Sequence, residues 1–162
     1  MKTRILLAAL LGALLVLAPG PAHAKGVEGV TVTGPGLEQP IDIGIQEAAN
    51  ELAQTAGLYD GLFVSTNGTL AASPPPGDLG PRYVADYRLA GGPDGAAEVR
   101  QELYPFATGG AVTYTPPGQR PFGSEASPGG WFAAGTALTD LLIAAGVSAP
   151  AGAVVSAPRL AG

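Results

Sequence analysis

The hydrophobic residues of this chain follow two different spacings, which separate predicted strands from predicted helices. Val30 and Val32 alternate with threonines, and Ile41 and Ile43 flank Asp42. An apolar residue at every second position gives a strand one face that can lie against a core. These two segments therefore predict a β-hairpin with an irregular connection.

Two later segments predict a second hairpin, because residues 82–89 and 97–104 each have one apolar and one polar face. Their turn lies near Pro93, within a cluster of glycines. The resulting register pairs opposite charges on one face and apolar residues on the other: Arg88 with Glu98, Asp86 with Arg100, Tyr83 with Leu103, and Tyr87 with Val99. Residues 111–115 add a third short strand and complete a meander.

Two other segments repeat their apolar residues every three or four positions, which is the spacing of an amphipathic helix. The first covers residues 45–56 and ends at Gly57, and the second covers residues 136–145 and ends at Gly146. Thr136 is the predicted N-cap of the second helix. The apolar stripes consist of Ile45, Ala49, Leu52 and Ala56, and of Leu138, Leu141, Leu142 and Ala145.

This order of elements predicts an α+β fold. A small antiparallel sheet, made of the N-terminal hairpin and the three-stranded meander, would pack against two helices in one domain covering residues 25–147. Residues 119–130 are predicted to be irregular, and Trp131 and Phe132 to lead into the second helix. Residues 148–162 are rich in Ala, Pro and Gly and have no periodicity, so they predict a disordered tail.

The first 24 residues have the three parts of a secretory signal peptide. Lys2 and Arg4 form a positive start, residues 5–18 are almost entirely apolar, and residues 22–24 read A-H-A, a cleavage site of the A-x-A type. The apolar stretch is short for a membrane-spanning helix. We therefore expect cleavage after Ala24, secretion, and no membrane span in the remaining chain.

The composition limits the chemistry that the chain can perform. It contains no cysteine, and its only histidine, His23, and only methionine, Met1, would leave with the signal peptide. Disulfides, thiol nucleophiles, Cys/His metal sites and imidazole bases are thereby excluded from the mature chain, and no motif predicts a cofactor. The formal net charge of −5 argues against a nucleic-acid-binding surface.

Several short motifs resemble a pattern in small exported proteins of high-GC actinobacteria. The similarity covers most of residues 26–146, and the composition, rich in Ala, Gly and Pro and poor in Lys, fits that origin. The motifs are G-D-L-G-P-R-Y at 77–83, Y-P-F at 104–106, V-T-Y-T-P-P-G-Q at 112–119 and G-G-W-F at 129–132. The family is uncharacterised, so the resemblance implies export and a single domain but no catalytic residue.

The aromatic residues of the second half predict a binding surface. Tyr104, Tyr114 and Trp131 border loops rich in Pro and Gly, and Arg120 lies between the last two in the chain. Aromatic residues and arginine on rigid loops are typical of protein interfaces. The leading hypothesis is therefore a secreted, non-enzymatic domain that binds a protein or a cell-envelope component.

Two other functions remain open from the sequence. A cofactor-free hydrolase of cell-wall or carbohydrate substrates would need a pair of carboxylates around a cleft. The candidates for such a pair are Asp60, Asp78, Asp86, Glu98, Glu102 and Glu125. A protease-inhibitor-like protein would instead present the long loop at residues 65–81.

Overall fold

The computed structural model describes residues 26–63, 70–91, 95–123 and 125–151, and the predicted signal peptide and most of the predicted tail lie outside these ranges. Nine elements follow in chain order: β1 (Val27–Thr33), β2 (Ile41–Ile43), α1 (Gln46–Thr55), α2 (Leu58–Leu62), β3 (Tyr83–Ala90), β4 (Ala96–Tyr104), β5 (Val112–Thr115), β6 (Gly130–Ala133) and α3 (Gly135–Ala144). The six described strands form one antiparallel sheet in the order β2-β1-β3-β4-β5-β6. The predicted α+β fold is confirmed, with the hairpin and the meander joined because β1 pairs with β3.

The predicted register of the β3–β4 hairpin is confirmed. Asp86 lies opposite Arg100, Arg88 opposite Glu98, and Tyr87 opposite Val99. The register is well determined because a slip of one residue would turn the whole apolar face of each strand toward solvent. The first hairpin also forms, and its second strand β2 is an edge strand preceded by Pro40, which has no N–H to donate to a ladder.

The two faces of the sheet have different environments. One face, which we call the covered face, packs against the helices. There β3 buries alternate residues, and the helices add Leu52 from α1 and Leu138 and Leu142 from α3. The buried residues of β3 are Tyr83, Ala85, Tyr87 and Leu89. The opposite face, which we call the open face, carries the polar positions of the same strands.

Two local predictions were wrong, and one strand that leads into the second helix was not predicted. Ile45 is 72% exposed, because it is the N-cap of α1 and precedes the first turn whose apolar stripe faces the core. Thr136 lies inside α3, whose N-cap is Ala134 without a side-chain capping bond. Trp131 and Phe132 belong to strand β6, since β5 offers them a partner for a backbone ladder. The helix ends at Gly57 and Gly146 were predicted correctly, with φ of 65° and 114°.

A buried polar network fastens the helices to the sheet. The Ala56 carbonyl, just after the last residue of α1, accepts hydrogen bonds from Gln101 Nε2 at 2.9 Å and Thr113 Oγ1 at 2.7 Å. The Tyr87 hydroxyl donates to Gln101 Oε1 at 3.1 Å, and Gln101 Nε2 also lies 3.1 Å from Thr115 Oγ1. Burial raises the pKa of the Tyr87 hydroxyl above its ordinary value, so it remains a donor. The network supplies partners for a helix-end carbonyl that no water can reach.

Candidate functional site

Three of the four predicted binding residues meet on the open face, at the end of the sheet formed by β4, β5 and β6. The Trp131 ring centroid lies 4.9 Å from that of Tyr114 and 5.5 Å from that of Tyr104. The pairing of β5 with both neighbours explains this, because Trp131 lies opposite Tyr114 and Tyr114 opposite Glu102. We call Tyr104, Tyr114 and Trp131 the aromatic patch. Within the patch, Tyr104 is buried, whereas Tyr114 and Trp131 are half-buried.

Polar contacts fix the base of the aromatic patch. The Tyr104 hydroxyl donates to Glu102 Oε2 at 2.6 Å, and Arg82 NH1 donates to Glu102 Oε1 at 3.0 Å. Burial, followed by the hydrogen bond to Glu102, raises the pKa of Tyr104 to about 12. At neutral pH this tyrosine is therefore protonated and donates to a carboxylate that an arginine also holds.

The described part of the long loop lies against this end of the sheet. Ala71 and Trp131 exchange two backbone hydrogen bonds of 2.9 Å, which gives β6 a one-residue partner on its outer side. The Asp78 carbonyl accepts from the Thr108 amide at 2.7 Å, and Leu79 packs with the aromatic patch. Residues 70–81 thus pack along the outer edge of the aromatic patch. Residues 64–69 of the predicted loop are not among the described residues.

Arg120 is the fourth predicted binding residue. It is exposed in the loop after β5. Its neighbour Gln119 has a structural role that no sequence pattern indicates. The side-chain amide of Gln119 accepts from the Arg100 amide at 2.6 Å and donates to the Arg100 carbonyl at 2.9 Å. These are the two bonds that a residue of a neighbouring antiparallel strand would make.

A pair of aromatic rings outside the aromatic patch was not predicted from the sequence. The rings of Phe63 and Phe122 are stacked, with centroids 6.0 Å apart and planes 7° apart. They line an open groove of about 760 Å³ together with Pro121 and Pro128. Phe63 is 48% exposed and follows directly after α2, so it lies outside any periodic pattern that would have singled it out.

Three of the six predicted carboxylates, Asp86, Glu98 and Glu102, lie on strands of the sheet, and Glu125 borders the groove beside Phe63 and Phe122. Asp86 Oδ1 lies 2.7 Å from Arg100 Nε, and Asp78 Oδ1 accepts from the Gly80 amide at 2.9 Å. Asp42, Asp86 and Glu98 border a depression of about 70 Å³ on the open face. That volume is well below the roughly 300–1,000 Å³ of ordinary ligand pockets. Among the residues that the structure describes, no group of three acidic or histidine side chains could hold a metal ion.

Comparisons with protein-family models, curated proteins and solved structures give no match for this chain. Within the described ranges, no helix has the length and apolar character needed to cross a membrane. Any functional proposal therefore has to rest on the residues themselves.

Proposed function

We propose that the protein is a secreted, non-enzymatic domain that binds a protein or cell-envelope component through the aromatic patch. The observation that carries this proposal is the contact of Trp131 with both Tyr104 and Tyr114 on the face of the sheet that the helices leave uncovered. Secretion rests on the signal-peptide pattern of residues 1–24. The absence of cysteine, and of histidine outside that segment, favours binding over nucleophilic catalysis.

The patch is suited to binding because it is rigid before a ligand arrives. Side chains that are already fixed lose little conformational entropy on association. Trp131 is fixed by its ring contacts and by the backbone bonds to Ala71, and Tyr104 by Glu102. Aromatic side chains supply large contact areas, and they dominate the energy of many interfaces.

The chain provides its own reporter for this site, because Trp131 is its only tryptophan. The test is a fluorescence titration of the secreted protein with a solubilised cell-envelope fraction and with purified cell-wall oligosaccharides. We expect a saturable change in Trp131 emission. Tyr114→Ala should weaken the interaction by about tenfold or more, as truncation of a central aromatic contact typically does.

Thr31→Ala is the matched control. Thr31 lies on the open face at β1, away from β4, β5 and β6, and this variant should titrate like the wild type. Far-ultraviolet circular dichroism would verify that both variants are folded. Equal titration of Tyr114→Ala and wild type, or no saturable response to any fraction, would refute the aromatic patch as the binding surface.

A further inference from the structure

The helices pack on the covered face of the sheet, and we call this side of the molecule the helix side. It contains an open apolar groove between β2, α1 and α3. Its volume is about 370 Å³, and its apolar lining includes Ile41, Ile43, Ile45, Ala48, Leu52 and Leu141. Asp42 is the only charged residue among those that border it. Asp42 lies between Ile41 and Ile43 in β2 and opposite Thr31, so its side chain is directed to the open face. The interior of the groove is therefore apolar.

The rim of the groove exposes a large aliphatic side chain. Ile45 is 72% exposed at the N-cap of α1, where it makes no side-chain capping bond. A Ser, Thr, Asp or Asn at this position would satisfy an amide of the first turn, so isoleucine is a poor choice for helix stability. An exposed apolar residue beside an apolar groove is typical of an interaction site.

The charge around the groove has one sign. The three described helices contain Glu47, Glu51, Asp60 and Asp140 and no Lys or Arg, and residues 26–63 carry six acidic residues and no basic one. Glu51 follows the lining residue Ala48 by three positions, and Asp140 precedes the lining residue Ala144 by four. Residues at these spacings are neighbours on a helix surface. Glu51 on α1 and Asp140 on α3 thus each lie within one helical turn of a lining residue, and Glu51 borders the neighbouring polar depression.

We propose that this groove binds a cationic amphipathic segment of another protein. Apolar side chains of the segment fill the space between Ile45 and Leu141, and its Lys or Arg residues lie against Glu51 and Asp140. Charge complementarity selects a basic segment, because an acidic one would bring like charges together. This site lies on the covered side of the sheet, so it is separate from the aromatic patch.

The test measures the anisotropy of a labelled Leu/Lys peptide of about 15 residues, long enough to form an amphipathic helix. The comparison peptide carries Glu in place of every Lys. We expect the Lys peptide to bind and the Glu peptide not to bind. Ile45→Ser should weaken the binding of the Lys peptide by roughly tenfold or more, since an Ile contact is lost. The double variant Glu51→Gln, Asp140→Asn should weaken it by roughly two- to fivefold at low salt and less at high salt.

Tyr114→Ala is the matched control, and it should bind the Lys peptide like the wild type. Equal affinity of Ile45→Ser and wild type, or equal binding of both peptides, would overturn the proposal. Two further results would also overturn it by naming another occupant. Light scattering could show a dimer that Ile45→Ser dissociates, which would assign the groove to a second copy. A peptide of residues 152–162 could displace the probe, which would assign the groove to this chain's own C-terminal segment.

Discussion

Acidic and basic side chains are distributed differently on the open face and on the helix side of this molecule. On the open face, the three arginines of β3, β4 and the segment just before β3 each have an acidic partner. These pairs are Arg82 with Glu102, Arg88 with Glu28, and Arg100 with Asp86. On the helix side, the described helices contain only acidic charges.

The arginine–carboxylate pairs of the open face join charges of opposite sign, whereas the described helices carry charges of one sign. Cross-strand pairs on the open face cancel each other and support the strand register. The acidic residues of the helices add to one negative potential, which can attract a basic partner. The apolar groove lies on the helix side, and the aromatic patch lies on the open face, where the charges are paired. Four measurements would test this contrast, beginning with the contact that joins the two sides.

The largest effect is expected for Gln101→Ala, because Gln101 connects the sheet to the end of α1. The substitution leaves the Tyr87 hydroxyl and the Thr115 hydroxyl without this partner and opens a cavity in the core. Together these losses should lower the free energy of unfolding by about 3–4 kcal/mol. Urea denaturation measures this change. Tyr87→Phe removes one bond of the same network and should cost about 1–2 kcal/mol. Equal losses in both variants would show that Gln101 does not carry the connection.

The next effect appears at alkaline pH and concerns the aromatic patch. The Tyr104 pKa is raised from 10.0 to about 12 in the folded protein, so its stabilising contribution is complete below pH 10 and is lost as the pH rises toward 12. Tyr104→Phe lacks this ionisation. Between about pH 9 and pH 11.5, the wild type should therefore lose more stability than the variant, as measured by urea midpoints. A parallel decline of the two proteins would contradict the burial of Tyr104 and its hydrogen bond to Glu102 as the causes of the raised pKa.

A smaller effect, of opposite sign, is expected on the helix side. Ile45→Ser places a capping hydroxyl at the N-terminus of α1 and should stabilise the fold by about 0.5–1 kcal/mol. Thermal unfolding measures the gain. Ile45→Ala, which removes the aliphatic side chain without adding a cap, should give little change and serves as the control. A loss of stability in Ile45→Ser would show that the isoleucine serves the fold and would remove the contrast drawn above.

The smallest effect distinguishes paired from unpaired surface charge. A double-mutant cycle of Asp86→Asn and Arg100→Gln should give a weak favourable coupling that high salt reduces, because Arg100 is largely exposed and Asp86 is only half-buried. Glu51→Gln on α1 should not destabilise the protein, since it removes one of several like charges. A coupling that high salt does not reduce would contradict this account of the open face.

The elements that the sequence predicted best are those in which two patterns agree. In the β3–β4 hairpin, the apolar face and the charged face require the same register, and the structure adopts it. Strand β6 was missed because four residues, Gly130–Ala133, carry no alternation long enough to detect. Its conformation is decided by nonlocal bonds to β5 on one side and Ala71 on the other. Local propensity has little weight in such a case.

The residues of the aromatic patch could be predicted from the sequence, but their arrangement in space could not. Tyr104, Tyr114 and Trp131 were chosen because they border loops, but their contact depends on β5 pairing with both neighbouring strands. Gln101 could have been found, since it is the polar residue between Val99 and Leu103 on the apolar face of β4. The apolar groove could not, because it arises only when α3 packs beside α1.

The amide of Gln119 has a consequence for the protein in concentrated solution. An open strand edge is a template on which another chain can grow, and that growth leads to aggregation. Along β4 the pairing with β5 extends only from Glu102 to Tyr104, and the Gln119 side chain occupies the next outward-facing backbone position, Arg100. The Gln119 side chain thereby makes the two backbone hydrogen bonds that a residue of a neighbouring strand would make at this position. Gln119 thus covers one position of this open edge in a chain that contains no cysteine for a disulfide.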